Sequence, residues 1–213
     1  MKTTAQAYLF DFDGTLVDSM DTYAGVMLSI LDKNGIKYEK DIVKVITPLG
    51  YLGTANHFIG MGVKASVLQL VCEMKSGMVY EYTYNVGEKP NVISTLKALK
   101  EKGDSLNILT ASPHEVLDPC LKRLGIFELF DNVWSCDDFE TTKANPEIYK
   151  MAAEKMGVAV GDAIFLDDNF NAVKTAKTAG MRVFGVYDKS SEEYTEEMKS
   201  ISERYISDFA ELI

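Results

Sequence analysis

The amino-acid sequence predicts an α/β fold whose core is a parallel sheet covered by helices. Short apolar runs, each of a length typical of a buried strand, alternate with longer amphipathic segments. Such alternation is typical of strand–helix–strand units. One stretch breaks the rhythm, because residues 18–87 contain helix-like segments and no convincing strand. We therefore predict a Rossmann-like parallel sheet core with a helical cap inserted after the first strand.

The elements of the core follow from the positions of the apolar runs and of the residues that end helices. The predicted strands are 8–10, 106–109, 133–134, 163–166 and 182–186, with a short extended segment at 205–206. The predicted helices are 91–102, 114–124, 146–156 and 169–179, and a glycine follows each of them. Pro146 suits a first helical turn.

The insert is expected to form a domain of its own. Residues 20–31 and 63–79 have helical patterns, whereas 47–53 is predicted to be a loop. We also expect turns at the four glycines of this region, Gly50, Gly53, Gly60 and Gly62. We assign residues 1–17 and 88–213 to the core domain and 18–87 to the cap. Ligands of open α/β sheets bind beyond the carboxyl ends of the strands, so an insert that leaves the first strand there is expected to act as a lid.

Composition and charge exclude several classes of function. The chain has 213 residues, 46% of them hydrophobic, and a net charge of −10 with no run of lysines and arginines, which argues against nucleic-acid binding. An acidic protein that handles an anionic substrate must create positive potential locally. A divalent cation and one or two lysines would supply it.

The sequence also gives expectations about location and cysteine chemistry. No segment approaches the roughly 18 consecutive apolar residues of a membrane span, and the first ten residues do not resemble a secretory signal. We therefore expect a cytoplasmic protein without a membrane partner, as a monomer or homodimer. The widely spaced Cys72, Cys120 and Cys136 are expected to be reduced, buried thiols.

Polar side chains cluster where the predicted crevice lies. The clusters are Asp11 and Asp13, Thr110 and Ser112, Lys143, and Asp167 and Asp168. All of them except Lys143 directly follow an apolar run. Close carboxylates repel unless one is protonated or a cation lies between them, and Mg²⁺ favours carboxylate and phosphate oxygens. Any one cluster could instead consist of turn and helix-capping residues. Four clusters that meet at one edge of the sheet favour a magnesium-dependent site.

The same residues resemble the four motifs of the haloacid dehalogenase (HAD) superfamily, in the family's order. Residues 11–19, which read DFDGTLVDS, resemble motif I, and 108–112, which read ILTAS, resemble motif II. Residues 143–146 resemble motif III, and 165–169, continuing to 179–181, resemble motif IV. The insert occupies the position of a type-one (C1) cap, as in the phosphatase branch that includes phosphoglycolate phosphatase and beta-phosphoglucomutase-like proteins.

The resemblance implies a role for each motif residue. Asp11 would attack phosphorus as the nucleophile, and Asp13 would act as the acid and base. Mg²⁺ would be held by Asp11, the Asp13 carbonyl, Asp168 and, directly or through water, Asp167. Thr110 and Lys143 would stabilise the phosphoryl group, and the motif II residues Thr110, Ala111 and Ser112 would bind it.

Two positions depart from the family pattern. Ala144 stands where a proline is common, which leaves the chemistry unchanged. Ala172 stands where an Asp or Asn is common, so one contact to the metal or the lysine is expected to be missing or to come from Asn169 or Asn171.

The cap gives less information about the substrate. Tyr51, Asn56, His57 and Lys64 are candidate substrate contacts, although an ordinary structural role is favoured for each of them. Phosphoglucomutases of this family usually carry a cap arginine for a second phosphate, but residues 36–63 contain none. This favours a hydrolase over a mutase.

The sequence thus predicts a phosphatase, a Mg²⁺-dependent phosphomonoester hydrolase for a small phosphorylated metabolite. A beta-phosphoglucomutase-like phosphoryl transferase and a non-catalytic phospholigand-binding protein are the alternatives. A nucleotide-binding oxidoreductase is disfavoured, because no GxGxxG sequence follows the first strand.

Overall fold

Six parallel strands form one sheet in the part of the chain that the computed structural model describes, residues 5–213. They are β1 Ala7–Phe10, β2 Ser105–Thr110, β3 Asn132–Ser135, β4 Ala163–Asp167, β5 Arg182–Val186 and β6 Arg204–Ile206. Residues 1–4, which the sequence analysis assigned to the core, lie outside the described residues. The predicted parallel sheet is confirmed, and its sixth strand is the short segment expected near 205–206.

The strand order β3-β2-β1-β4-β5-β6 places the first strand of the chain at the centre of the sheet. Phe10, the last residue of β1, pairs with Ile108 of β2 on one side and with Leu166 of β4 on the other. The order of the strands therefore reverses beside β1, and α/β sheets bind ligands at such a switch point. Every residue of β1 and of β4 is buried, as the continuous apolar runs predicted.

Helices occupy the segments between the strands and the insert after β1. In chain order they are α1 Met20–Lys33, α2 Ile42–Ile46, α3 Gly50–Gly60, α4 Val67–Tyr84, α5 Val92–Glu101, α6 His114–Arg123, α7 Glu147–Met156, α8 Phe170–Thr178 and α9 Thr195–Ile201. The four helices α5 to α8 match the predicted helices of the core to within two residues at each end.

The chain divides into two compact units. One contains the residues up to Asp18 together with Gly87–Ile213, and the other is Ser19–Val86. We call them the sheet unit and the helical unit. The roles of core and cap that the sequence analysis gave to these parts of the chain remain predictions.

The helical unit is built on the packing of α1 against α4. Val26, Met27 and Ile30 on α1 are buried, as are Met74 and Met78 on α4. A Cβ at Gly77 would lie 2.7 Å from Val26 Cγ1, so the two helices approach each other closely at this glycine. The helix predicted over 63–79 begins later, at Val67, because Ser66 and Gln69 form a capping box there.

The predicted loop at 47–53 is wrong. A short 3-10 segment, Thr47–Leu49, leads directly into α3. Of the four glycines taken as turn markers, Gly53 and Gly60 lie within α3, and a Cβ at Gly53 would lie 2.7 Å from Leu49 Cβ. Glycine therefore allows a close approach here, and of these four glycines only Gly50 and Gly62 have positive φ.

The expectation of three buried thiols is also wrong in part. All three cysteines are free, and Cys120 and Cys136 are buried, but Cys72 lies on the exposed face of α4. Cysteine spacing alone carries no information about which face of a helix a thiol occupies. Among the described residues, no helix is both long and apolar enough to cross a membrane.

The capping box of α4 gives a stability prediction. Ser66→Ala removes the acceptor of the Gln69 N–H bond, so we expect the free energy of unfolding to fall by about 1 kcal/mol in a urea titration. Ser76→Ala, an exposed site in the middle of the same helix, is the matched control and should leave stability unchanged or raise it slightly. Equal effects of the two substitutions would contradict the capping role.

Candidate active site

Three carboxylates meet at the carboxyl ends of β1 and β4, beside the switch point of the sheet. Asp11 directly follows β1, Asp167 ends β4, and Asp168 comes next. The Asp11 N–H donates to the carbonyl of Leu166 at 2.8 Å, which continues the pairing of the two strands by one residue. One oxygen from each carboxylate can be chosen so that all three lie within 4.8 Å of one another, and all three residues are buried.

Lys143 provides positive charge to this cluster. Its ammonium group contacts Asp11 Oδ1 and lies 2.9 Å from Asp167 Oδ2, and its side chain is only 13% exposed. The ammonium also lies over the ring of Phe165, 5.5 Å from the centroid. Lys143 is thus a largely buried, paired lysine and not a solvated loop residue.

These contacts explain the departure at Ala172. Asp167 supplies the carboxylate that faces the lysine, so the contact does not depend on position 172. A contact from Asn169 or Asn171 to the metal or the lysine remains a prediction. The Asn169 side chain accepts from the N–H groups of Asn171 and Ala172 as the N-cap of α8, and Asn171 is exposed.

Burial and mutual repulsion change the proton affinities of the cluster. Burial, reinforced by the Asp167 carboxylate, raises the pKa of Asp11 to about 8, although Lys143 opposes the shift. The pKa of Asp168 is raised well above its usual range by burial and by Asp167. Burial alone would lower the pKa of Lys143, but the Asp11 and Asp167 carboxylates outweigh it and raise that pKa. The lysine therefore stays protonated while the carboxylates compete for further positive charge.

The donor set of the cluster fits a magnesium ion. Three buried carboxylates lie together, two of them contact the single ammonium group of Lys143, and hard oxygen ligands are those that Mg²⁺ prefers. Among the described residues, Asp11, Asp167 and Asp168 form the one group of three acidic, histidine or cysteine side chains close enough to share a metal ion. The Asp13 carboxylate is not part of it, and the predicted contribution of Asp13 through its backbone carbonyl remains a prediction.

Asp13 is oriented by the loop that follows β2. Ser112 Oγ donates to Asp13 Oδ2 at 2.6 Å, and the Ser112 N–H donates to Thr110 Oγ1 at 3.0 Å. Thr110 is buried and Ala111 is exposed. Sequence reasoning assigned Ser112 to the substrate, but in the structure its hydroxyl holds the predicted acid and base. The assignment of Thr110, Ala111 and Ser112 to the phosphoryl group stays a prediction.

The turn after Asp13 fits closely around Asp168. Gly14 has φ +69°, and a Cβ there would lie 2.6 Å from Asp168 Oδ2, so glycine is required for both conformation and space. Thr15 Oγ1 donates to Asp168 Oδ1 at 3.2 Å and accepts from the Asp168 N–H at 3.1 Å. Sequence reasoning gave Thr15 no role. Its position in the first motif, directly after the required glycine, was the available signal.

The four cap candidates all belong to the helical unit. Tyr51 and His57 lie on α3 and are half-buried, and the Tyr51 ring is 6.5 Å from the ring of Tyr23. Asn56 is exposed and donates to the Leu52 carbonyl, and Lys64 is exposed. Their assignment to the substrate remains a prediction.

His114, the first residue of α6, links this helix to the 3-10 segment Cys136–Phe139 after β3. Its Nδ1 lies 2.9 Å from Asp118 on α6, and its Nε2 lies 2.9 Å from Asp138 in that segment. A neutral imidazole can donate from only one nitrogen, so both bonds form only with the protonated ring. The hydrogen bond to Asp118 raises the pKa of His114, and the hydrogen bond to Asp138 raises it further. Burial of the ring lowers the pKa but is outweighed by these two contacts.

Comparison with known proteins agrees with this geometry. The model of the family described as haloacid dehalogenase-like hydrolase matches residues 8–186. The chain belongs to this family. It is similar to pyrophosphatase PpaX of Bacillus velezensis, with 30% identity over 84% of this chain and 82% of that protein.

Two further similarities extend over most of the chain. A phosphorylated carbohydrates phosphatase of Thermotoga maritima is 25% identical over 85% of each chain. The magnesium-bound crystal structure of YfnB from Bacillus subtilis has a TM-score of 0.80 and 16% identity, and covers 99% of this chain and 97% of that one. The predictions of the fold and of a hydrolase of this family are confirmed. The predicted phosphatase class agrees with the names of the curated relatives.

The His114 contacts predict a pH-dependent stability. A folded-state pKa raised above the unfolded value of about 6.5 gives stabilisation that is complete below that pH and is lost as the pH rises through the folded-state pKa. We expect His114→Gln to lower the Tm more at pH 6 than at pH 9. Because the ring is 42% exposed, solvent screening limits the corresponding difference in the free energy of unfolding to about 1 kcal/mol or less.

The control for this prediction is Glu115→Gln, an exposed neighbour on the same helix. Its effect on the Tm should be small at both pH values. A His114→Gln effect that is equal at pH 6 and pH 9, or larger at pH 9, would contradict the protonated bridge.

Proposed function

We propose that this protein is a magnesium-dependent phosphomonoester hydrolase that acts through an aspartyl-phosphate on Asp11. The observation that carries the proposal is the convergence of Asp11, Asp167 and Asp168 with Lys143 at the switch point of the sheet. Family membership and the names of the phosphatase relatives support it. We further propose that the substrate is a small phosphorylated metabolite, in line with the carbohydrate phosphatase among the relatives.

In the first step Asp11 is the nucleophile. One of its carboxylate oxygens forms a bond to phosphorus as the bond from phosphorus to the ester oxygen breaks. The Asp13 carboxyl group gives its proton to the departing oxygen, and the bond from Ser112 Oγ keeps Asp13 oriented for the transfer. Lys143, held between Asp11 and Asp167, neutralises charge on the phosphoryl oxygens.

In the second step water regenerates the enzyme. Asp13, now ionised, takes a proton from a water molecule as that water attacks phosphorus. The bond between phosphorus and Asp11 breaks, orthophosphate leaves, and Asp13 is protonated again. The two steps together consume one water and release one alcohol and one phosphate.

The metal site is proposed to consist of Asp11, Asp168 and the Asp13 carbonyl, with Asp167 as a direct or water-mediated ligand. When bound, Mg²⁺ supplies positive charge that keeps these carboxylates ionised at neutral pH and offsets the charge of the phosphoryl group. Asp167 then keeps Lys143 in place, and Thr15 keeps Asp168 in place.

The proposed mechanism makes a prediction about the nucleophile. Asp11→Asn cannot form the acyl phosphate, so phosphate release from a panel of phosphomonoesters with Mg²⁺ should fall by at least about a thousandfold. Asp162→Asn is the matched control, because Asp162 is exposed just before β4, at the opposite end of the strand from Asp167, and should leave the rate unchanged.

Two outcomes would redirect the assignment. Absence of phosphate release from wild-type protein, together with isomerisation of a sugar phosphate in the presence of its bisphosphate, would indicate a mutase. Unchanged phosphate-ligand binding by Asp11→Asn, without turnover by wild-type protein, would indicate a binding protein.

The proposed mechanism also makes a prediction about the metal. Chelation by EDTA should abolish turnover, and MgCl₂ should restore it. Mg²⁺ in excess should also raise the Tm of the protein by several degrees, since a ligand at about 100 times its Kd stabilises by about 2.7 kcal/mol. Asp168→Asn should lose this thermal response and Asp162→Asn should keep it, with NaCl at equal ionic strength as the control for screening. Turnover that survives complete chelation would contradict the metal site.

A further inference from the structure

Lys89 has three oxygen acceptors around its ammonium group. Nζ donates to the Gly14 carbonyl at 2.7 Å, to the Tyr187 carbonyl at 2.7 Å and to Asp188 Oδ2 at 2.8 Å. The side chain is 15% exposed and that of Asp188 is 7% exposed. All three donors of the ammonium group are therefore used, in a largely buried position where few water molecules can replace them.

The three acceptors come from two separate parts of the sheet unit. Gly14 directly follows Asp13, whereas Tyr187 and Asp188 follow β5. The backbone of Lys89 adds to this link, because its N–H donates to the Leu16 carbonyl at 3.0 Å. Lys89 thus ties the turn after Asp13 to the carboxyl end of β5.

The Gly14 carbonyl belongs to the most constrained part of the site. Gly14 has positive φ and no space for a Cβ beside Asp168, and Thr15 exchanges two hydrogen bonds with Asp168. A rotation of the peptide between Gly14 and Thr15 would displace Asp13 on one side and Thr15 on the other. One contact that fixes this carbonyl therefore fixes the relative placement of Asp13 and Asp168.

We propose that Lys89 is a positioning residue, which acts through the Gly14 carbonyl to align Asp13 with the carboxylate cluster. This inference rests on the proposed function for its catalytic consequence, but its structural part does not. Lys89 touches neither the reacting groups nor the predicted phosphoryl contacts, so its loss should slow the chemical step more than it weakens substrate binding.

The test compares Lys89→Met with wild type in two measurements. Amide hydrogen exchange in a peptide that covers 13–18 should accelerate about tenfold or more, because Gly14, Leu16 and Val17 donate within this turn. With the best phosphomonoester and Mg²⁺, kcat should fall about five- to twentyfold while KM changes less than about twofold. Both are measured below the melting temperature of each variant.

Lys100→Met is the matched control. Lys100 is also an ion-paired lysine of the sheet unit, but its partner Asp131 binds Ser105 and the Leu106 N–H at the amino end of β2. It should leave the exchange of 13–18 and kcat unchanged even where it lowers the Tm. An equal fall of kcat in the two variants would show a general effect of lost stability and would overturn the inference.

A second variant covers the case in which Lys89→Met does not fold. Lys89→Gln keeps an amide donor for the carbonyls and should show the same pattern at smaller amplitude. Wild-type exchange in the folded variant would overturn the positioning role, and so would wild-type kcat in an active protein. If wild-type protein releases no phosphate, the proposed function fails, while the exchange measurement still decides whether Lys89 holds the turn.

Discussion

The repulsion among three buried carboxylates is the constraint on which the rest of the site depends. Asp11, Asp167 and Asp168 lie at the ends of two adjacent strands, so the sheet itself forces their proximity. Burial and repulsion together raise the pKa of Asp11 and of Asp168, which means that the ionised cluster is unfavourable without added positive charge. Each neighbouring interaction either supplies charge or fixes the position of a carboxylate.

The neighbours perform these two tasks with few side chains. Lys143 supplies a full charge, and its loop is supported by the buried Tyr149, whose hydroxyl lies 3.1 Å from the Lys143 carbonyl. Thr15 and Gly14 fit closely around Asp168, and Ser112 holds Asp13. The lysine alone does not balance the charge of the cluster, and this unbalanced negative charge is the physical reason for the magnesium dependence proposed above.

Sequence patterns predicted the parts of the structure that are repeated or local. The continuous apolar runs at β1 and β4 predicted a buried parallel sheet. The positions of Asp11, Asp167 and Asp168 at strand ends predicted that they lie close together, because parallel strands end at one edge of the sheet. Pairwise side-chain contacts were not accessible in this way. Nothing local shows that Ser112 faces Asp13 or that Lys89 reaches Gly14, since each bond joins residues far apart in the chain.

The errors have a physical origin as well. Glycines in the insert were taken as turns, but Gly53 and Gly60 lie in a helix, and Gly53 allows a close approach of Leu49. Glycine permits both turns and close approaches, and only tertiary packing decides between them. The exposure of Cys72 likewise depends on which face of α4 packs against α1.

The central position of β1 bears on how the chain can fold as it is synthesised. β1 leaves the ribosome well before its two partners, which begin only at Ser105 and Ala163. Its apolar residues cannot pair with β2 until the chain has been made as far as Thr110, nor with β4 until Asp167, and unpaired strands of this kind are prone to association. The helical unit has its buried α1–α4 contacts within one continuous segment, Ser19–Val86, so it can complete its packing during that interval. Because the insert directly follows β1, the helical unit can fold on the nascent chain before β2 and β4 are available to pair with β1.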